Sequence, residues 1–117
     1  MDPLKRLVTD ERGNKVIAAF DLLRLMDREI PGQLVVAFLY IGSHNPCHKL
    51  ALEEDLGLTP SSASRLIAWL SDYHRLGKPG LGLVVKEKDY SNMKRVMVKL
   101  TPKGESLFKK FMSSIYD

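Results

Sequence analysis

Proline and glycine punctuate residues 57–104 so closely that few folds can accommodate the segment. Thr59-Pro60 reads as a helix start: a hydroxyl that accepts an orphan backbone N–H, then a proline whose missing donor is harmless in the first turn. The same pair recurs as Thr101-Pro102. Between them, Ala63, Leu66, Ile67, Leu70 and Tyr73 fall at three- and four-residue spacing, the buried face of a helix. Ser61, Ser62, Ser64, Arg65, Ala68 and Trp69 flank that face or lie opposite it. Gly77, Pro79, Gly80 and Gly82 then impose a loop. Leu83-Val84-Val85 and Val96-Met97-Val98 are apolar, β-favouring runs around a polar turn, which predicts a hairpin. A helix, a hairpin and a second helix must therefore pack together within one segment.

Upstream, the pattern is helical. Residues 14–29 place Val16, Phe20 and Leu23, and Ile17 and Met26, at helical spacing, with Asn14 available as a cap. Ala18, Ala19, Leu22 and Leu25 widen that stripe, and a helix apolar over most of its circumference needs a second partner beyond its own domain. Ile30-Pro31-Gly32 breaks the pattern. Residues 32–42 are nearly all apolar: β-branched content allows a buried strand, while length and the neighbouring helices favour a buried helix. Residues 43–46 read as a loop, and 49–56 as a short helix with Leu52 and Leu56 on one face, ended by Gly57. Residues 102–116 predict a last helix with Leu107, Phe108, Phe111, Met112 and Ile115 on one face. The 117 residues suit a single domain, 1–117, mainly α with a small β-hairpin.

Charge is distributed unevenly. Residues 1–59 hold 7 Lys/Arg against 9 Asp/Glu, whereas residues 60–104 hold 9 against 3, and residues 105–117 hold 2 against 2. The positive charge is concentrated where a polyanion contact would need it, although scattered solvated lysines give the same count.

Other function classes find little support. The apolar runs, such as 34–41, are too short to span a bilayer, and the first residues lack the apolar core of a secretory signal. One cysteine, Cys47, allows no internal disulfide and fits a reducing, cytoplasmic setting. His44, Cys47 and His48 lie close together, but with only His74 to add they fall short of a structural zinc set, so no metal and no cofactor are expected. Cys47 beside His48 could sense oxidants, or could simply be a small residue closing a loop. No paired carboxylates accompany an activated nucleophile, and Gly80-x-Gly82 lacks the rest of any nucleotide fingerprint, so no enzyme is expected.

Three helices, a short helix, a tight turn, a helix, a hairpin and a helix make the order of a winged helix-turn-helix, with the helix-turn-helix at about 49–74 and the wing at about 82–101. The second helix of such a pair enters the major groove of double-stranded DNA with its N-terminal residues nearest the bases. Here those residues are Ser61, Ser62, Ser64 and Arg65, whose hydroxyls and guanidinium can bond bases or phosphates. Lys86, Lys88, Lys94 and Arg95 supply wing charge for phosphates, with Arg75 and Lys78 as weaker loop candidates. Trp69, alone beside an apolar face, is expected to pack.

On these residues the sequence resembles the MarR family of winged-helix transcriptional regulators. The matching motifs are Leu56-Gly57-Leu58-Thr59 at the turn, Ser61-Ser62-Ala63-Ser64-Arg65-Leu66-Ile67 in the helix, Gly82-Leu83-Val84 entering the wing, and Val96 through the Leu100-Thr101-Pro102-Lys103-Gly104 run leaving it. Ile30-Pro31-Gly32-Gln33 is similar to the family's approach to its second helix, and the likeness covers roughly residues 30–112. The resemblance implies a repressor-type homodimer on a palindromic operator, half-sites about 10 bp apart. It also implies that the helices 14–29 and 102–116 dimerise, through Phe20, Leu23, Phe108, Phe111, Met112 and Ile115. A small-molecule effector of unknown identity is a further expectation from the family. Where the family's wing tip carries Asp-x-Arg, this chain has Asn92-Met93-Lys94, which keeps charge but loses the orienting acid and predicts a looser phosphate contact. Glu53 stands where a small residue is common and the loop 71–81 is long, and against the family's pattern a shortened last helix, to Asp117, is expected. A plasmid- or phage-type partition or replication protein, and a winged-helix protein-interaction module, remain alternatives.

Overall fold

The computed structural model describes residues 9–72, 77–89, 91–92 and 95–117. Five helices and three short strands follow one another as α1 (Glu11–Arg24), α2 (Gly32–Ser43), β1 (Cys47–His48), α3 (Lys49–Leu56), α4 (Pro60–Leu70), β2 (Val84–Lys88), β3 (Val96–Leu100) and α5 (Pro102–Tyr116). Tyr73, His74, Arg75, Met93 and Lys94 lie outside the described residues.

Helix α1 begins and ends earlier than the expected 14–29. Asp10, not Asn14, is its cap: the Asp10 carboxylate accepts the Arg12 N–H at 2.9 Å, and Glu11 adds acid to the positive end of the helix dipole. The helix stops at Arg24, beyond which the Leu25 N–H bonds the Asp21 carbonyl and the Met26 and Asp27 N–H groups bond the Leu23 carbonyl. Just beyond, the Asp27 carboxylate takes the Glu29 N–H at 3.0 Å, a local bond that competes with helix continuation.

The ambiguous run 32–42 is a helix. Leu34, Val35, Ala37, Phe38 and Ile41 of α2 are buried, which places this helix at the centre of the core. Pro31 precedes it without a side-chain cap, its carbonyl accepting the Leu34 and Val35 N–H at 3.0 and 3.2 Å. Helix α5 crosses α2 at Gly42, where a Cβ would run into the Phe108 ring; Phe38 meets that ring edge-on at a centroid distance of 6.2 Å. Along its other flank α5 packs on α1, with Phe20 and Phe111 edge-to-face at 5.5 Å.

The expected hairpin is part of a three-stranded antiparallel sheet, ordered β1-β3-β2. Cys47 pairs with Val98 and His48 with Met97, a strand too short to carry a sequence signal. In the hairpin Val84 lies opposite Leu100, Lys86 opposite Val98 and Lys88 opposite Val96. The glycine-rich loop is anchored: Gly80, Leu81, Gly82 and Leu83 donate to the carbonyls of Asp72, Trp69, Ser71 and Leu70. The chain therefore turns back along the end of α4 before entering β2.

Candidate nucleic-acid interface

The turn between α3 and α4 forms as its residues dictate. Gly57 takes a left-handed φ of 64°, open to glycine without strain, and the Leu58 N–H returns to the Glu53 carbonyl at 2.9 Å. Thr59 then restarts the chain as a helix, its hydroxyl accepting the Ser62 N–H at 3.1 Å. Ala63, Leu66, Ile67 and Leu70 are buried and pin α4 to the core. That fixes which side faces outward.

On the outward side Ser61, Ser64 and Arg65 are exposed, while Ser62 is half-buried. The Ser62 hydroxyl oxygen receives the Thr59 hydroxyl at 2.9 Å and the Arg65 guanidinium at 3.1 Å. Trp69 is half-buried against the core, where its sequence position put it.

One neighbour of this helix start carried no sequence signal beyond its helical spacing. The Lys49 ammonium, at the beginning of α3, lies 2.5 Å from the Glu53 carboxylate and donates to the Pro60 carbonyl at 3.1 Å. Glu53, the departure from a small residue, thus forms a mostly buried ion pair that ties α3 to the first turn of α4. Lys49 and Glu53 also line a notch of about 300 Å³ shared with His48, Leu50, Arg95 and Val96. The base of the wing, the start of α3 and the start of α4 consequently converge.

Strand alternation sorts the wing charges. Lys86 and Lys88 lie on one face and are exposed; Glu87 points to the other, where it pairs with Lys99 at 2.5 Å. The pairing raises the Lys99 pKa, first through its hydrogen bond to Glu87. Arg95 is exposed at the start of β3, and the fourth wing candidate, Lys94, falls outside the described residues. At the end of β2, buried Asp89 accepts the Ser91 hydroxyl at 2.6 Å and the Ser91 N–H at 3.0 Å. These bonds hold its carboxyl below the usual range, with His48, 3.8 Å away, adding a smaller effect.

The remaining candidates separate by burial. Leu23 and Phe111 are buried within the chain's own core; Phe108, Met112 and Ile115 are half-buried, and Phe20 is 40% exposed. Val16 and Ile17 leave further apolar surface on α1, and Leu25 adds to it just past the helix end. Cys47 is buried in β1, and burial pushes its thiol up, away from a reactive thiolate. Among the described residues no group of His, Cys, Asp or Glu is arranged to hold a metal ion. Nor is any described helix long and apolar enough to cross a membrane.

No protein-family model and no curated protein matches this sequence. Solved structures do match. The S. aureus MepR–DNA complex aligns with a TM-score of 0.69 at 21% identity, over 97% of this chain and 82% of that one. A MarR variant from E. coli complexed with operator DNA aligns at 0.65 and 18%, over 97% and 74%. NadR in complex with 4-hydroxyphenylacetate aligns at 0.65 and 19%, over 90% and 67%. The chain has the winged-helix fold of the MarR-family transcriptional regulators.

Proposed function

We propose that the protein binds double-stranded DNA and regulates transcription, acting as a homodimer that represses from a two-fold operator. The observation that carries this reading is the exposed, capped start of α4, where Ser61, Ser64 and Arg65 project from a helix whose opposite face is locked in the core. Thr59 already takes the Ser62 and Ala63 N–H groups at this helix start, so the exposed side chains carry the contact. The basic wing residues Lys86, Lys88 and Arg95 add sequence-independent attraction. Dimerisation is supported by the apolar surface of α1, with Val16 and Phe20 at 40% exposure and Ile17 at 58%. A cleft of about 630 Å³ between α1, α5 and residues 80–83 has the size and mixed lining of a small-ligand site, with Met26 and Leu107 beside Lys103 and Lys110. It is the candidate place for an effector.

Selection of bound sequences from a randomised duplex library tests the reading directly. Enrichment of a two-fold motif with half-sites about one helical turn apart is the expected result. Failure to retain any duplex at low salt overturns the DNA reading, and a stable protein partner in its place moves the fold to an interaction role.

A further inference from the structure

The geometry points to Ser62 as a positioning residue that presents Arg65 to DNA. This rests on the DNA-binding reading above. Four serine and arginine side chains begin α4 on its outward side, and their environments differ. Ser61, Ser64 and Arg65 are exposed; Ser62 is half-buried, and its hydroxyl oxygen already receives two donors. One is the Thr59 hydroxyl at 2.9 Å, and the other is the Arg65 Nη2 at 3.1 Å.

Thr59 is a fixed anchor. As the helix cap its hydroxyl is also bound by the Ser62 N–H at 3.1 Å, so its position follows from the backbone of the turn. The tether then runs Thr59 to Ser62 to Arg65 along one edge of the helix, using the three-residue spacing that brings side chains together. Arginine is among the side chains that lose most rotamer freedom when a partner fixes them. A guanidinium held at one nitrogen has lost part of that freedom before DNA arrives, and the rest of its fork stays available for a bidentate contact. Pre-organisation of this kind strengthens binding without adding a contact to the ligand.

The test is a double-mutant cycle on the duplex selected from the library. Ser62→Ala keeps the backbone N–H that Thr59 caps, so the helix is retained, as a thermal melt verifies. Loss of one hydrogen bond is expected to weaken binding about three- to tenfold. Arg65→Ala should then cost less in the Ser62→Ala background than in the wild type, because both changes remove the same arrangement. Ser62→Thr, which restores a hydroxyl, should recover affinity. Independently of DNA, nitrogen relaxation at the Arg65 side chain should show greater motion in Ser62→Ala and wild-type motion in Ser62→Thr. Additive losses, or an Arg65 equally mobile in all three proteins, overturn the tether and leave DNA binding standing. A wild type that binds no duplex overturns the DNA reading instead, and the relaxation comparison alone then decides whether Ser62 holds Arg65.

Discussion

Gly104, in the first turn of α5, lies so close to Leu83 that a Cβ at position 104 would collide with the Leu83 carbonyl. Thr101 completes the junction. Its hydroxyl caps α5 by accepting the Gly104 N–H at 3.0 Å and donates to the Gly82 carbonyl at 2.7 Å, while its N–H bonds the Leu83 carbonyl at 3.0 Å. The wing's two ends and the last helix are thereby locked to one another.

Gly104→Ala is therefore expected to destabilise the fold. Alanine gains about 1 kcal/mol in helix propensity, but the colliding atom is backbone and overpacking costs about 1–3 kcal/mol before larger shifts are counted. The melting temperature should fall by several degrees. Gly13→Ala in α1, with nothing within 4 Å of the new methyl, is the control and should raise it. If both substitutions stabilise, the close approach is not what holds the junction.

This junction also shows what was legible in the sequence. The Leu-Thr-x-x-Gly run could be matched to a family from residues 100–104, but its physical cause, a carbonyl arriving from Leu83, is a tertiary contact that no local pattern records. Elements with chemical punctuation were readable: Thr59-Pro60 and Thr101-Pro102 began helices where expected, and Gly57 ended one. Helix α1 was misplaced because Asp10 lay outside the apolar stripe, and because the stripe continued past the point where Asp27 turns the chain. Strand β1 was missed because two residues have no periodicity; only pairing with Met97 and Val98 makes them a strand. The residues of the candidate interface could be named individually, yet their relationships could not. Lys49 read as the first residue of a scaffold helix, while its ammonium reaches the carbonyl of Pro60 across a turn.

Acid should loosen the wing. Asp89 has its pKa lowered from 3.8, chiefly by the Ser91 hydroxyl and then by the Ser91 N–H. A depressed carboxylate contributes stability that is fully present above its unfolded pKa and is lost as the pH falls through the folded value. The Ser91 amide should thus exchange more slowly in the wild type than in Asp89→Asn at neutral pH. That difference should vanish well below pH 3.8. A difference that persists unchanged in acid would locate the protection elsewhere.

The helix and the wing should respond differently to substitution if α4 reads bases and the hairpin holds phosphates. Arg65→Ala is expected to cost about 1–3 kcal/mol on the selected duplex and to relax preference at one position of the motif. Lys86→Ala or Lys88→Ala should weaken all duplexes alike and reduce the slope of log affinity against log salt by about 1. Titrations at several salt concentrations with matched and scrambled duplexes separate the two. Equal losses and equal slopes for all three variants would reduce α4 to a phosphate contact.

Two substitutions distinguish the chain's own core from a surface shared between copies. Phe111 is 2% exposed and packs edge-on to Phe20, so Phe111→Ala opens a cavity and should cost about 3–5 kcal/mol whatever the oligomeric state. Ile17 of α1 is 58% exposed, so Ile17→Glu removes little from the folded monomer. In a dimer it would place a charge in an apolar interface, and the partners should separate. Sedimentation of the wild type should give the dimer mass and Ile17→Glu the monomer mass, with helical content retained. The same variant should bind a single half-site far more weakly than the wild type binds the full motif, because the two-site advantage is lost. A wild type that sediments as a monomer at all concentrations would assign the exposed apolar face of α1 to a different partner.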